Sequence, residues 1–118
     1  GDFHMTFVKR GSETVVKLNK DAPENFCRPS VDPMMRSLVS IYKGKILSVI
    51  LTGMGQDGLR GSQAVIEAGG ATVAQDEATS VVWGMPGAVA NAGICSAILP
   101  LSDIGTMVRK WALTGTPS

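Results

Sequence analysis

A nearly continuous aliphatic run, Lys45-Ile46-Leu47-Ser48-Val49-Ile50-Leu51, breaks into Thr52-Gly53-Met54-Gly55-Gln56-Asp57-Gly58. A run of that length and character fits a parallel strand buried on both faces. Glycine reaches positive φ without Cβ strain, so three glycines in six positions allow a sharp turn. Leu59, Ser62, Val65, Ile66 and Gly69 follow at helical spacing, and Gly69-Gly70 ends that stripe. Strand, tight turn and helix in this order are how α/β proteins build sites, because ligands gather beyond the carboxyl ends of the strands. Asp57 is expected at the mouth of the following helix, where free N–H groups favour a carboxylate. Function is therefore expected near Met54 and Asp57.

The flanking segments extend this pattern. Phe3–Val8 and Glu13–Leu18 are rich in β-branched and aromatic residues, and Lys9-Arg10-Gly11-Ser12 separates them, which predicts a β-hairpin. Asn19–Arg28 is polar, contains Pro23 and reads as loop. Asp32-Pro33 has the form of an N-cap followed by a first-turn proline. Met34, Leu38, Ile41 and Tyr42 then recur at helical spacing, and Gly44 is placed to close the helix. Core packing accounts for the methionines. Ala71–Gln75 reads as a short strand, Asp76–Ser80 as a polar turn, Met85–Ala92 as a short helix begun by Pro86, and Cys95–Leu99 as a strand. Ser102 is placed to cap a last helix carrying Leu101, Ile104, Met107, Val108, Trp111 and Leu113, with Gly115–Ser118 fraying. After the hairpin, helices and strands alternate. That order predicts an α/β fold with a parallel, doubly wound sheet and helices on both faces.

Composition narrows the partners. The 118 residues suffice for one domain, with 11 basic and 10 acidic side chains and no basic stripe, which argues against nucleic acid. Apolar stretches are strand-length, too short to span a membrane as a helix, and no signal peptide is evident. Aromatic residues are only 5 %, so the core should be aliphatic. Cys27 and Cys95 lack metal-ligand spacing and read as free thiols rather than a disulfide. The opening Gly1-Asp2-Phe3 reads as a segment cut from a longer protein.

Two chemical readings of the turn compete with a third, plainer one. Gly53, Gly55 and Gly58 satisfy G-x-G-x-x-G, and Asp76 stands 18 positions past Gly58, as in a dinucleotide-binding module. Against it, Asp57 would set a fixed negative charge where the pyrophosphate lies. No Lys follows the glycines, so a P-loop is excluded. Alternatively, Asp57 is the orienting acid of a hydrolytic triad, with backbone N–H groups of the turn stabilising an oxyanion. The plainer reading is a helix cap. The chain offers no G-x-S-x-G elbow. Its single histidine, His4, lies in the hairpin, where a structural hydrogen-bonding role is the simpler reading.

Leu51–Gly58, Ala68-Gly69-Gly70 and Ala74-Gln75-Asp76-Glu77-Ala78 together closely resemble the catalytic domain of the chemotaxis protein-glutamate methylesterases. Gly1–Met5, Arg28-Pro29-Ser30-Val31-Asp32 and Gly84-Met85-Pro86 match as well, so the resemblance spans essentially all 118 residues. It implies a cytoplasmic α/β serine hydrolase, without cofactor or metal, that removes methyl esters from chemoreceptor glutamates and deamidates certain receptor glutamines. In its terms Asp57 is the triad acid, and Met54 contributes a backbone N–H to the oxyanion hole. Arg28 and Ser30 are cleft-lining candidates. His4 matches a family position other than the triad histidine. The family's nucleophilic serine and triad histidine precede the matching segment, as does the receiver domain of many members. Residues 1–118 are thus expected to form the C-terminal part of one catalytic domain, inactive alone, whose partners are a methylated chemoreceptor, the missing N-terminal half and possibly a receiver domain. A non-catalytic interaction domain that keeps the fold without the chemistry is the remaining alternative.

Overall fold

The computed structural model describes residues 1–116; the expected fraying of Gly115–Ser118 therefore falls partly outside the described residues. Strands β1 (His4–Arg10) and β2 (Glu13–Asn19) form an antiparallel hairpin, in register from His4↔Asn19 to Arg10↔Glu13. Gly11, with φ of 61°, turns the chain between them. Helix α1 (Val31–Tyr42) follows. Then come β3 (Leu47–Ile50), α2 (Leu59–Glu67), β4 (Ala71–Gln75), α3 (Gly84–Asn91), β5 (Ala97–Leu99) and α4 (Leu101–Thr114). This is the alternation expected from the sequence.

Strands β3, β4 and β5 pair in parallel, in chain order, with Leu47↔Ala71 and Val73↔Ala97 setting the register. All five residues of β4 are buried, so the central strand is covered on both faces. On one face Ile50 and Ala74 meet Met35 of α1 and Val89 of α3, with Leu59 and Met85 packed alongside. The core is aliphatic, as the scarcity of aromatics implies. The hairpin joins this body through α1: the Ser37 hydroxyl accepts the Phe7 N–H at 2.9 Å.

Three helix ends differ from the sequence reading, each for a tertiary reason. Helix α1 begins two residues earlier, at Val31 with Ser30 as N-cap, and the Asp32 carboxylate bonds to Gly58 and Gly61 instead of its own helix end. At its other end Lys43, not Gly44, takes the positive φ, 55°. Gly44 is needed because a Cβ there would lie 2.7 Å from the Ala68 carbonyl oxygen. Helix α4 is preceded by Pro100, which leaves Ser102 inside the first turn, and Gly115 closes it in the left-handed region with its N–H on the Trp111 carbonyl. Both cysteines are free thiols. Among the described residues, no helix is long and apolar enough to cross a membrane.

Candidate active site

The glycine turn is clamped from two sides. The Thr52 N–H donates to Gln75 Oε1 at 2.8 Å, and Gln75 Nε2 donates to the Thr79 carbonyl at 2.8 Å. Thr52 Oγ1 both donates to the Val82 carbonyl and accepts its N–H, at 2.9 Å each. The Gly53 N–H reaches the Val82 carbonyl, and the Gly53 carbonyl accepts from Met85 N–H. A buried amide needs partners for both ends, so Gln75 fixes the turn after β3 to the turn after β4. Close approach dictates two glycines here. A Cβ on Gly53 would lie 2.7 Å from Met85 Sδ, and one on Gly84 would lie 2.9 Å from Gly53 O and Gly55 N.

Asp57 does not cap the helix it precedes. Gly58, with φ of 101°, is the N-cap of α2, and the Asp57 carboxylate lies on the N-terminus of α1. Its Oδ2 accepts the Val31 N–H at 2.7 Å. Its Oδ1 accepts the Asp32 N–H at 3.2 Å, the Ser30 hydroxyl at 2.7 Å and Asn25 Nδ2 at 3.0 Å. Asp32, completely buried, makes the reciprocal contact: its Oδ1 accepts Gly58 N–H at 3.0 Å and Gly61 N–H at 2.8 Å from the first turn of α2. Each aspartate therefore caps the other's helix. Asn25 Nδ2 bridges the two carboxylates, reaching Asp32 Oδ2 at 2.8 Å. The Asp32 carboxylate could not be buried here without such donors, because an uncompensated charge is strongly disfavoured, whereas Asp57 is only half-buried. Sequence reading named Asp57 and Ser30 as candidates, and the structure brings the two together. That reading missed Asn25, Asp32 and Gln75 as site residues, since their partners are remote along the chain.

The other expected residues separate into two places. Ser30 lies on Asp57. Its backbone N–H donates to Nδ1 of His4 at 3.2 Å, while His4 Nε2 meets the Ala22 carbonyl at 2.9 Å. A carbonyl only accepts, so this pattern assigns the proton to Nε2 and makes His4, 1 % exposed, a structural tie between hairpin and site. Arg28 is elsewhere: its Nε and Nη2 donate to Asp2 Oδ1 at 3.0 and 2.6 Å. That contact holds the exposed Asp2 carboxyl below its usual range. Met54 projects its side chain into solvent, 81 % exposed. Its backbone N–H meets no acceptor among the described residues. Behind Asn25, Arg36 hydrogen-bonds Glu24 and lowers that carboxyl below its ordinary value.

The geometry also tests the dinucleotide reading. The N–H groups of α2 that a pyrophosphate would use are occupied by the buried Asp32 carboxylate. Asp76, the acid required for a ribose, accepts Thr79 N–H and Oγ1 within its own turn. The glycine pattern instead serves backbone conformation at Gly55 and Gly58, with φ of 92° and 101°, and a close approach to Met85 at Gly53.

The sequence profile of CheB methylesterase matches residues 1–108. The chain belongs to the CheB methylesterase family. It is 64 % identical over 113 residues to a protein-glutamate methylesterase/protein-glutamine glutaminase of Azospirillum brasilense, covering 95 % of this chain and 29 % of that protein. A second relative, from a group 2 operon of Rhodospirillum centenum, is 62 % identical over 112 residues, 95 % of this chain and 28 % of that protein. The fold matches the crystal structure of the Thermotoga maritima CheB methylesterase catalytic domain with a TM-score of 0.87 and 39 % identity, over 90 % of this chain and 56 % of that domain. The chain thus spans less than a third of its CheB relatives and just over half of one CheB catalytic domain.

Proposed function

We propose that these residues form the C-terminal part of a cytoplasmic protein-glutamate methylesterase that acts on methylated chemoreceptors, releasing methanol, and deamidates receptor glutamines. The observation that carries this reading is the Asp57 carboxylate. It is held by four donors at a strand-end turn, with one acceptor position left open on Oδ2. Oδ1 takes three donors, whereas Oδ2 takes only Val31 N–H. A carboxylate oxygen has two lone-pair sites, so Oδ2 has room for an imidazole N–H from the other half of the domain. There Asp57 fixes the tautomer of the histidine and stabilises the imidazolium. The histidine takes the proton of a serine hydroxyl as that oxygen attacks the ester carbonyl. It returns the proton to the departing methanol, and water then hydrolyses the acyl-enzyme. The unpartnered Met54 N–H serves as a donor to the oxyanion. The nucleophilic serine and the triad histidine come from the other half of the domain, so the segment alone is inactive.

The missing half has a place to dock. Strand β3 has β4 as its only neighbour among the described residues. Beside it lies an apolar cleft of about 230 Å³ lined by Met34, Leu38, Leu47 and Val49. Parallel strands are ordinarily covered and paired on both sides. The relatives are also about twice as long as one catalytic domain, judged from the shares this chain covers of each. That leaves room for a receiver domain.

Asp57→Asn in the longer enzyme tests the reading. The rate of receptor methyl-ester hydrolysis should fall by roughly 10⁴, through loss of the correct tautomer. As a cap alone, Asp57 is worth only about 0.5–2 kcal/mol of stability, which cannot produce that loss in a protein that remains folded. An unchanged rate would remove Asp57 from the mechanism, while saturable binding of NAD(H) at micromolar concentration would revive the dinucleotide module.

A further inference from the structure

We propose that Asn25 and Asp32 are positioning residues for the Asp57 carboxylate; the inference rests on the triad reading of Asp57. Asn25 sits in the left-handed region at φ 54°, where its Nδ2 reaches both Asp57 Oδ1 and Asp32 Oδ2. An amide nitrogen has two hydrogens, and its two shortest contacts are to the two acids, the Ser30 hydroxyl lying farther off at 3.4 Å. Asn25 therefore fixes the separation of the carboxylates and fills Oδ1 of Asp57, which leaves Oδ2 as the face presented to an imidazole. Asp32 acts one step further back. Its Oδ1 holds Gly58 and Gly61 N–H, so it sets where α2 begins and hence where the Asp57 backbone stands. Asp57 in turn holds the first turn of α1, which carries Asp32. The two helix ends are locked to one another, and a shift of either moves the catalytic oxygen. Triad geometry tolerates little misplacement, so the lock acts on the rate rather than on substrate affinity.

The structural alternative is that Asn25 serves only its turn. Glycine adopts positive φ more readily than asparagine, so Asn25→Gly keeps the turn and removes only the side chain. Asn25→Asp keeps the shape but turns both donors into a third carboxylate. In the full-length methylesterase, Asn25→Gly should stay folded at the assay temperature, with a lower melting temperature because the buried Asp32 Oδ2 loses its Asn25 donor. Its kcat for methyl-ester hydrolysis should fall roughly 10- to 100-fold, the scale of one charge-assisted hydrogen bond, with KM changed less than about threefold. Asn25→Asp should be slower still. Asp32→Ala strips the cap from α2, so Asp32→Asn, which keeps an oxygen for Gly58 and Gly61, is measured with it and should retain the greater kcat. A wild-type kcat for Asn25→Gly, a loss confined to KM, or a loss that only follows the folded fraction would overturn the proposal. Asp57→Asn in the same series separates the two claims. If it is slow while Asn25→Gly is not, the positioning role alone fails; if it too is fast, the triad reading fails first.

Discussion

Single residues carry most of the site's information here, and their roles come from contacts far along the chain. Gly61 is the sharpest case. In an exposed helix, alanine would gain about 1 kcal/mol over glycine. A Cβ at Gly61, however, would lie 2.7 Å from Met35 Cβ, 2.8 Å from its Sδ and 3.1 Å from Asp32 Oδ1. Overpacking of this kind costs about 1–3 kcal/mol, and here it also displaces the carboxylate that caps α2. Gly61→Ala should therefore lower the urea midpoint of the catalytic domain, against helix propensity; a raised midpoint would show that Met35 and Asp32 yield freely. Asp57 and Met54 were legible as candidates because the turn and its motif are local, whereas Ser30, whose partner Asp57 lies 27 positions away, was reached only through the family resemblance. Asn25, Asp32 and Gln75 were not legible, because each is defined by a partner 23 to 32 positions away. Asp32 was the more deceptive. Asp-Pro at a helix start reads as a cap, and it is one, but for the neighbouring helix.

Elements followed the sequence closely where periodicity decided them and less closely where tertiary contacts did. Ala71–Gln75 is a strand at the expected residues, whereas β3 is shorter than its aliphatic run and β5 begins at Ala97 rather than Cys95. The loop from Asn19 to Arg28 gave no signal beyond polarity, yet it supplies Asn25 and, through Glu24, a tie to Arg36 of α1. The hydrogen bond from Arg36 lowers the folded-state value of Glu24 below its ordinary value near 4.5. A depressed carboxylate contributes stability that is present above its unfolded value and lost as pH falls through the folded one. The loop's tie to α1 should therefore hold at neutral pH and weaken as the solution is acidified below about pH 4.5. Glu24→Gln should flatten that part of the stability–pH curve. An identical curve for the variant would show that the pair contributes nothing. Cys95, whose thiol is pushed up by burial, should alkylate more slowly than the exposed Cys27.

For the whole molecule, the open edge of β3 and the cleft beside it govern behaviour in solution. The 12.3 kDa segment should self-associate or melt without cooperativity when expressed alone. Co-expression with the preceding half of the catalytic domain should give a soluble 1:1 complex. A well-folded monomer in light scattering would contradict this view of the edge. The central claim is narrower: the Asp57 carboxylate receives an imidazole. A crystal structure of the complete catalytic domain tests it directly. The account predicts a histidine ring nitrogen within about 3 Å of Asp57 Oδ2, with Asn25, Ser30 and Asp32 still on Oδ1. An Asp57 held only by helix α1, with the nearest histidine out of hydrogen-bonding reach, would contradict it.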